Sequence, residues 1–224
     1  MQIRPAPQSE NELLQRAKSL SGCSLGIIAN QLGWAVPTDL RRHKGWVGQL
    51  VEAILGAEAG NQAKPDFLAL NIELKTLPVT KAGQPQVSTY VCAISHAALS
   101  ETWHSSVVYQ KLSRVLWVPI EGSDTISITE RRILKPFLWE MGPDIEIILR
   151  QDWEELMEAL ALGYGAGLSA HQGTYLQVRP KAAHSRIKTA YLDVSGERVS
   201  IVPKGFYLRP AFTRHLLKTS PVLF

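Results

Sequence analysis

The chain has 224 residues, 45 % of them apolar, and a net charge of +4. That length suits one large domain or two small lobes, and without a run of 18 apolar residues nothing in it spans a membrane. With no apolar signal core behind the first charges, two distant cysteines (Cys23, Cys92) in no metal spacing and six scattered histidines, the expectation is a reduced, cytoplasmic protein with no zinc site.

Ser9-Glu10-Asn11-Glu12 has the form of a capping box ahead of Leu13, Leu14, Ala17 and Leu20, which predicts a helix over residues 10–20. A second short helix fits Leu25 to Leu32, and both read as scaffold. Pro37 breaks the chain. Arg41, Arg42, His43 and Lys44 then form a basic run, either a solvated turn or a phosphate contact beside a helix N-terminus.

From Gly45 to Gly56, Trp46, Val47, Leu50, Val51 and Ile54 recur at helical spacing and make one apolar face. Glu52 lies nearly opposite, with Gly48 and Gly56 four residues to either side. A mid-helix Gly costs about 0.8–1 kcal/mol relative to Ala. Either something approaches the backbone closely beside Glu52, or Gly56 is only a C-cap and Gly48 is tolerated.

Residues 57–65 read as a loop that delivers the chain to Asp66. Strands are expected at about 66–70 and 71–78 and, after a turn at Ala82-Gly83, at 87–94, a stretch rich in β-formers. In Ile72-Glu73-Leu74-Lys75-Thr76 the alternation of a strand puts Glu73 and Lys75 on one face, ~6.6 Å apart along the backbone. Ile72, Leu74 and Thr76 face the other way, toward a core. An exposed Glu-x-Lys pair contributes only about 0–1 kcal/mol and is common on solvated strands. With Asp66 one turn away, the same residues become two carboxylates and a lysine, able to hold a hard divalent cation and place a water beside it.

Residues 95–104 read as loop, 107–112 as a short helix or the start of a strand, and 114–118 as a strand. Pro143 suits the first turn of a long helix through Leu162, with Ile145, Ile148, Leu149, Leu156 and Leu160 as its buried stripe. Asp152, Glu154, Glu155 and Glu158 form its expected wet face. Gly163 to Gly167 reads as a hinge, dividing lobes of roughly 1–163 and 164–224.

Residues 165–224 hold nine Lys or Arg and two acids, against fifteen and eighteen in the rest of the chain. A polyanion could be gripped by this basic quarter and cut by the acidic part. Tyr175, Tyr191, Phe206, Tyr207 and Phe212 are too many aromatics for a disordered tail. Residues 173–179 alternate into a strand ending at Arg179-Pro180-Lys181. Arg179 is either a charged strand end or a reader of guanine in the major groove, presented by a loop that Pro180 stiffens. Gly196-Glu197 reads as a hairpin turn, and a last helix starts at Arg209-Pro210.

Pro65-Asp66, six residues and Glu73-Leu74-Lys75 match the PD-(D/E)xK nuclease pattern. Further runs in order along the chain are Lys44-Gly45-Trp46-Val47-Gly48, Asp66-Phe67, Ile72-Glu73-Leu74-Lys75-Thr76, Lys111-Leu112 and Arg114-Val115-Leu116-Trp117. They continue with Asp152-Trp153-Glu154-Glu155-Leu156-Met157, Leu176-Gln177-Val178-Arg179-Pro180-Lys181 and Gly205-Phe206-Tyr207-Leu208. Together they resemble the MutH family, strand-nicking endonucleases of bacterial mismatch repair.

The resemblance implies a mixed α/β, restriction-endonuclease-like core sheet flanked by helices, with two lobes forming a DNA-binding cleft. It implies nicking of the unmethylated strand 5′ of the G in a hemimethylated or unmethylated GATC duplex, dependent on Mg²⁺ or, as a substitute, Mn²⁺. Asp66, Glu73 and the Leu74 carbonyl would ligate the ion, Glu52 would ligate or orient a second, Lys75 would position or deprotonate the water, and Lys111 would steady the scissile phosphate. Lys44, Arg179, Pro180, Lys181 and Tyr207 would contact DNA. It also implies a monomer stimulated by MutL, itself prompted by MutS. A type II restriction endonuclease cutting both strands and a DNA-binding module without catalysis are the alternatives.

Overall fold

In the computed structural model the described residues are 4–60, 62–168, 171–181, 189–192, 195 and 197–219. They form a mixed α and β fold that divides into two compact units. One draws on the described residues of Met1–Gln86, Ser113–Glu140 and Arg214–Phe224, the other on those of Val87–Leu112 and Met141–Thr213.

The first unit packs α1 (Glu10–Ser19), α2 (Leu25–Leu32) and α3 (Trp46–Leu55) around a sheet of β1 (Glu73–Val79), β3 (Arg114–Glu121) and β4 (Phe137–Glu140). The strand order is β1-β3-β4; β1 runs parallel to β3, and β3 antiparallel to β4. The central strand is buried from Val115 to Ile120, as a strand covered on both faces must be apolar throughout. Leu13, Ile28, Leu50, Leu55, Ile72 and Leu116 meet in one core, so the helical stripes found in the sequence are the faces that close over the sheet.

The helix ends follow their local chemistry. Ser9 Oγ accepts from Glu12 N at 3.2 Å, while the Glu12 carboxylate accepts from Gln8 N at 2.8 Å, one residue earlier than a capping box requires. Ser24 Oγ accepts from Ile27 N at 3.3 Å, and Gly33 ends α2 in the left-handed region. Gly56 does the same for α3 at φ 84°. A Cβ there would lie 2.5 Å from Pro5 O, so the cap admits only glycine. The buried Arg16 guanidinium donates to Leu55 O at 2.9 Å, a carbonyl that the end of α3 leaves open, and to Pro5 O at 2.7 Å in the segment ahead of α1.

Two elements differ from expectation in this unit. Residues 66–70 are not a strand: Leu68–Leu70 wind a 3-10 turn and Asn71 reverses the chain at φ 52°. Only Phe67 stays extended, bridging Ile72. The strand β4 lies outside the expected elements because it has four residues, of which only Phe137 is buried, leaving too short a stretch for an alternating pattern to register.

The second unit contains β2 (Thr89–Ala93), α4 (Val107–Leu112), α5 (Pro143–Ala161), β5 (Leu176–Pro180), β6 (Thr189–Leu192), β7 (Arg198–Ile201) and β8 (Lys204–Leu208). The antiparallel sheet has the order β2-β8-β5, and β6 pairs with β7. The Gly196-Glu197 turn lies partly outside the described residues. After β8, α6 runs from Pro210 to Thr219.

Helix α5 buries Leu149, Trp153, Leu156, Met157 and Leu160 and packs against β5. Glu154, Glu155 and Glu158 are on the wet face as expected, but Asp152 is not: it is 4 % exposed. Its carboxylate accepts the backbone N–H groups of Thr174 (2.7 Å), Tyr175 (2.6 Å) and Leu176 (2.7 Å). The turn it grips passes through Gly173 at φ 80°, and Arg209 Nη1 donates to Gly173 O at 2.5 Å. Asp152 is an anchor for the start of β5, three amides deep, which is why it tolerates burial.

Candidate functional site

The hairpin from Asp66 to Lys75 is organised by alternation. Phe67 N donates to Ile72 O at 2.9 Å and Ile72 N to Phe67 O at 3.4 Å. Phe67, Ile72 and Leu74 enter the core at 2, 0 and 5 % exposure. The intervening residues Asp66, Glu73 and Lys75 therefore belong to the opposite side. There the Lys75 ammonium pairs with the Glu73 carboxylate, whose side chain is 2 % exposed. Asp66 Oδ2 accepts from Leu74 N at 2.8 Å, so its carboxylate is fastened to the backbone between Glu73 and Lys75.

The backbone of Asp66 is fixed as well. Its carbonyl accepts from Glu58 N at 2.9 Å and Ala59 N at 3.4 Å, just beyond the residues that close α3 on the Glu52 carbonyl. Arg114 braces the turn, donating from Nη1 to Leu70 O at 3.2 Å while pairing with Glu10 at 2.6 Å and Glu140 at 2.8 Å. These partners, Glu10 first, hold the guanidinium above its ordinary pKa. Two buried carboxylates and a lysine thus sit on a rigid support, although carboxylates rarely tolerate burial without a compensating partner.

Glu52 is half-buried on α3, which packs on β1. No three His, Cys, Asp or Glu side chains among the described residues stand close enough together to hold a metal, so Glu52 does not complete a three-acid cluster with Asp66 and Glu73. A Cβ on Gly48 would meet nothing nearer than the Glu52 carboxylate, at 3.7 Å. The protein's own packing therefore does not demand glycine there, whereas it does at Gly56.

Lys44 is exposed and immediately precedes Gly45, which begins α3 at φ 96° with no side chain capping the helix amides. Lys111 is in the last turn of α4, in the second unit, and is 7 % exposed.

The three-stranded sheet of the second unit has one apolar and one polar face. Leu176, Val178, Phe206 and Leu208 are buried at 0–2 % exposure. The alternate residues Gln177, Arg179 and Lys181 line the other face with Tyr207 and Tyr90. Register aligns them: Tyr207 on β8 stands between Tyr90 on β2 and Gln177 on β5, and Arg179 faces Gly205. Tyr90 and Tyr207 meet edge to face at 5.3 Å. The Lys181 ammonium lies 4.7 Å from the Tyr90 ring centre and the Arg179 guanidinium 5.9 Å from that of Tyr207, within cation–π range. Burial, then the neighbouring Tyr90, pushes the Tyr207 hydroxyl pKa up against the opposing pull of Arg179 and Lys181.

Sequence reasoning missed the supporting roles of two residues. Ser88 Oγ receives Gln177 Nε2 at 2.8 Å and Arg179 Nη1 at 3.0 Å. A Cβ on Gly205 would lie 2.8 Å from Cys92 O and 3.1 Å from the Tyr90 ring, so Gly205 leaves room for the aromatic pair. Ser88 lies in no motif, and Gly205 only opens the Gly205-Phe206-Tyr207-Leu208 run; both act through strands distant in the chain.

The family described as "DNA mismatch repair enzyme MutH" matches residues 55–152. Over 216 residues the chain is 49 % identical to the DNA mismatch repair protein MutH of Shewanella amazonensis, covering 95 % of each. It is 46 % identical over 216 residues to that of Serratia proteamaculans, covering 96 % of this chain and 95 % of the relative. For Vibrio vulnificus the figures are 45 % over 219 residues, with 97 % and 96 % covered.

Proposed function

Since the chain belongs to the MutH family of DNA mismatch repair enzymes, we propose that the Asp66 to Lys75 hairpin is its nuclease centre. The strand cut is the unmethylated one at a hemimethylated GATC site. The observation that carries this is the fastening of Asp66 beside the buried Glu73–Lys75 pair.

The donor set fits Mg²⁺, which binds through one or two carboxylates and fills its remaining positions with waters and substrate phosphates. Asp66, Glu73 and the Leu74 carbonyl would hold it, with Glu52 on α3 available to orient a second ion, and Mn²⁺ would take the same oxygen ligands. The bound ion supplies charge neutralisation at the phosphate and a more acidic water. The chain's own residues do the rest. Lys75, held against Glu73, positions the attacking water or, in its neutral form, takes its proton. Lys111 stabilises the extra negative charge on the phosphate. Lys44, next to the uncapped start of α3, grips a flanking phosphate.

Recognition is assigned to the polar face of the second sheet. Arg179 reads a guanine edge, Pro180 stiffens its strand end, Lys181 adds charge, and Tyr207 lies near the adenine whose methylation is sensed. A monomer with one such centre makes one nick, in keeping with control by MutL and, through it, MutS.

The test is cleavage of a hemimethylated GATC duplex with each strand labelled separately. Wild type is expected to nick only the unmethylated strand, and Glu73→Ala and Lys75→Ala to bind the site without cutting it. Nicking at the wild-type rate by either variant would remove that residue from the centre, and direct linearisation of supercoiled plasmid would favour a double-strand cutter.

A further inference from the structure

We infer that Ser88 is a positioning residue for sequence recognition, setting the direction of the Arg179 guanidinium from the residue just ahead of β2, across β8. This rests on the assignment of Arg179 as a base contact.

Arg179 is exposed at the end of β5, and a long exposed arginine ordinarily samples many rotamers. Here two constraints act on it. Its Nη1 donates to Ser88 Oγ at 3.0 Å, and its guanidinium carbon stands 5.9 Å from the Tyr207 ring centre. Ser88 is held in turn, because its oxygen also receives Nε2 of Gln177 at 2.8 Å, and Gln177 is 3 % exposed. A hydroxyl oxygen has two acceptor positions, and Gln177 and Arg179 occupy both. The buried amide thus fixes the hydroxyl, and the hydroxyl fixes one edge of the exposed guanidinium.

The consequence is specific to base reading. Bidentate recognition of guanine needs the guanidinium fork in one plane and direction, whereas a phosphate accepts an arginine from many directions. Loss of the Ser88 hydroxyl should therefore erode discrimination between sites more than it weakens DNA binding. It leaves the charge of the protein unchanged, so the salt dependence of binding should also be unchanged.

The experiment uses the full chain as wild type, Ser88→Ala, Ser88→Thr, Arg179→Ala and the Ser88→Ala/Arg179→Ala double variant. Cleavage rates are compared on a GATC duplex and on one with the first G·C pair replaced by A·T. Ser88→Ala is expected to lower the preference for GATC by about 5- to 10-fold, part of the full value of a bidentate guanine contact. Ser88→Thr, which keeps the hydroxyl, should stay within about 2-fold of wild type, and the double variant should discriminate no worse than Arg179→Ala alone.

Wild-type discrimination by Ser88→Ala would overturn the inference, as would equal losses on both duplexes, or a double variant in which the two losses multiply. In those cases a defective Arg179→Ala would still uphold the reading of Arg179. An Arg179→Ala variant that discriminates like wild type would defeat that reading and this inference together.

Discussion

Asp66 Oδ2 accepts the amide proton of Leu74 at 2.8 Å, so the carboxylate proposed to hold the metal also has a structural duty. The two duties separate by substitution. Asp66→Asn keeps an oxygen for the Leu74 amide but loses the charge that a cation requires. It should unfold near the wild-type temperature yet show no nicking above background. Asp66→Ala should lose activity and, in addition, about 1–3 kcal/mol of stability from the unsatisfied buried amide. Thermal unfolding and strand-specific cleavage, measured on both variants, check this.

The Glu73–Lys75 pair predicts an asymmetry. With Glu73 at 2 % and Lys75 at 11 % side-chain exposure, Lys75→Met leaves a buried carboxylate without its cation. A loss of about 3–5 kcal/mol is expected in metal-free buffer. Adding Glu73→Gln removes the orphaned charge and should recover most of that loss while leaving the enzyme inactive. Urea unfolding with and without Mg²⁺ reads both effects; Mg²⁺ should stabilise Lys75→Met more than the double variant, because only the former retains the Glu73 carboxylate beside Asp66.

Asp152 sets the start of β5 from a distance. Asp152→Ala abandons three backbone amides, two of them within β5 or next to it. Charge-assisted bonds of this kind contribute roughly 1.5–3 kcal/mol each and are not additive, so a total loss of about 3–5 kcal/mol is expected by chemical denaturation. A loss below about 1 kcal/mol would contradict the anchoring role.

Gly205→Ala tests the packing of the polar face. The added methyl would press on Cys92 O at 2.8 Å and the Tyr90 ring at 3.1 Å. The strand backbone has little room to give, so the ring must shift, taking with it the contacts to Tyr207 and Lys181. GATC affinity should fall by about 10-fold, the scale of a lost aromatic pair and cation–π contact. Nicking of saturated substrate should fall less.

Tyr207 makes a pH prediction. Its folded pKa is raised, first by burial and then by Tyr90, so the neutral phenol is favoured in the folded chain. Its contribution to stability is whole below about pH 10, the ordinary tyrosine value, and is lost as pH rises through the higher folded value. Spectroscopic titration of phenolate should show one late-ionising tyrosine that disappears in Tyr207→Phe. An unchanged titration curve would contradict the burial of the hydroxyl.

How much was legible in the sequence depends on how local the cause is. Helices α1, α2, α3 and α5 follow from spacing and caps, because the apolar period and a capping Ser or Gly act within a few residues. The pairing of Glu73 with Lys75 follows from strand alternation in the same way. The family motifs singled out Asp66, Glu73, Lys75 and Arg179, since those residues keep their order whatever surrounds them.

Tertiary structure alone decided where the polar groups are satisfied. Asp152 looked solvated because its helical neighbours Glu154, Glu155 and Glu158 are, but the amides it accepts lie more than twenty residues away. Residues 66–70 carried a strand's composition and became a turn, because Asn71 takes a left-handed conformation and Arg114 holds Leu70 O from another strand. Ser88 gained its role only when β2 and β5 came to flank β8. Short-range conformational preference is written residue by residue, whereas the partner of a buried hydrogen-bonding group is chosen by strand order and register, which no short stretch of the chain encodes.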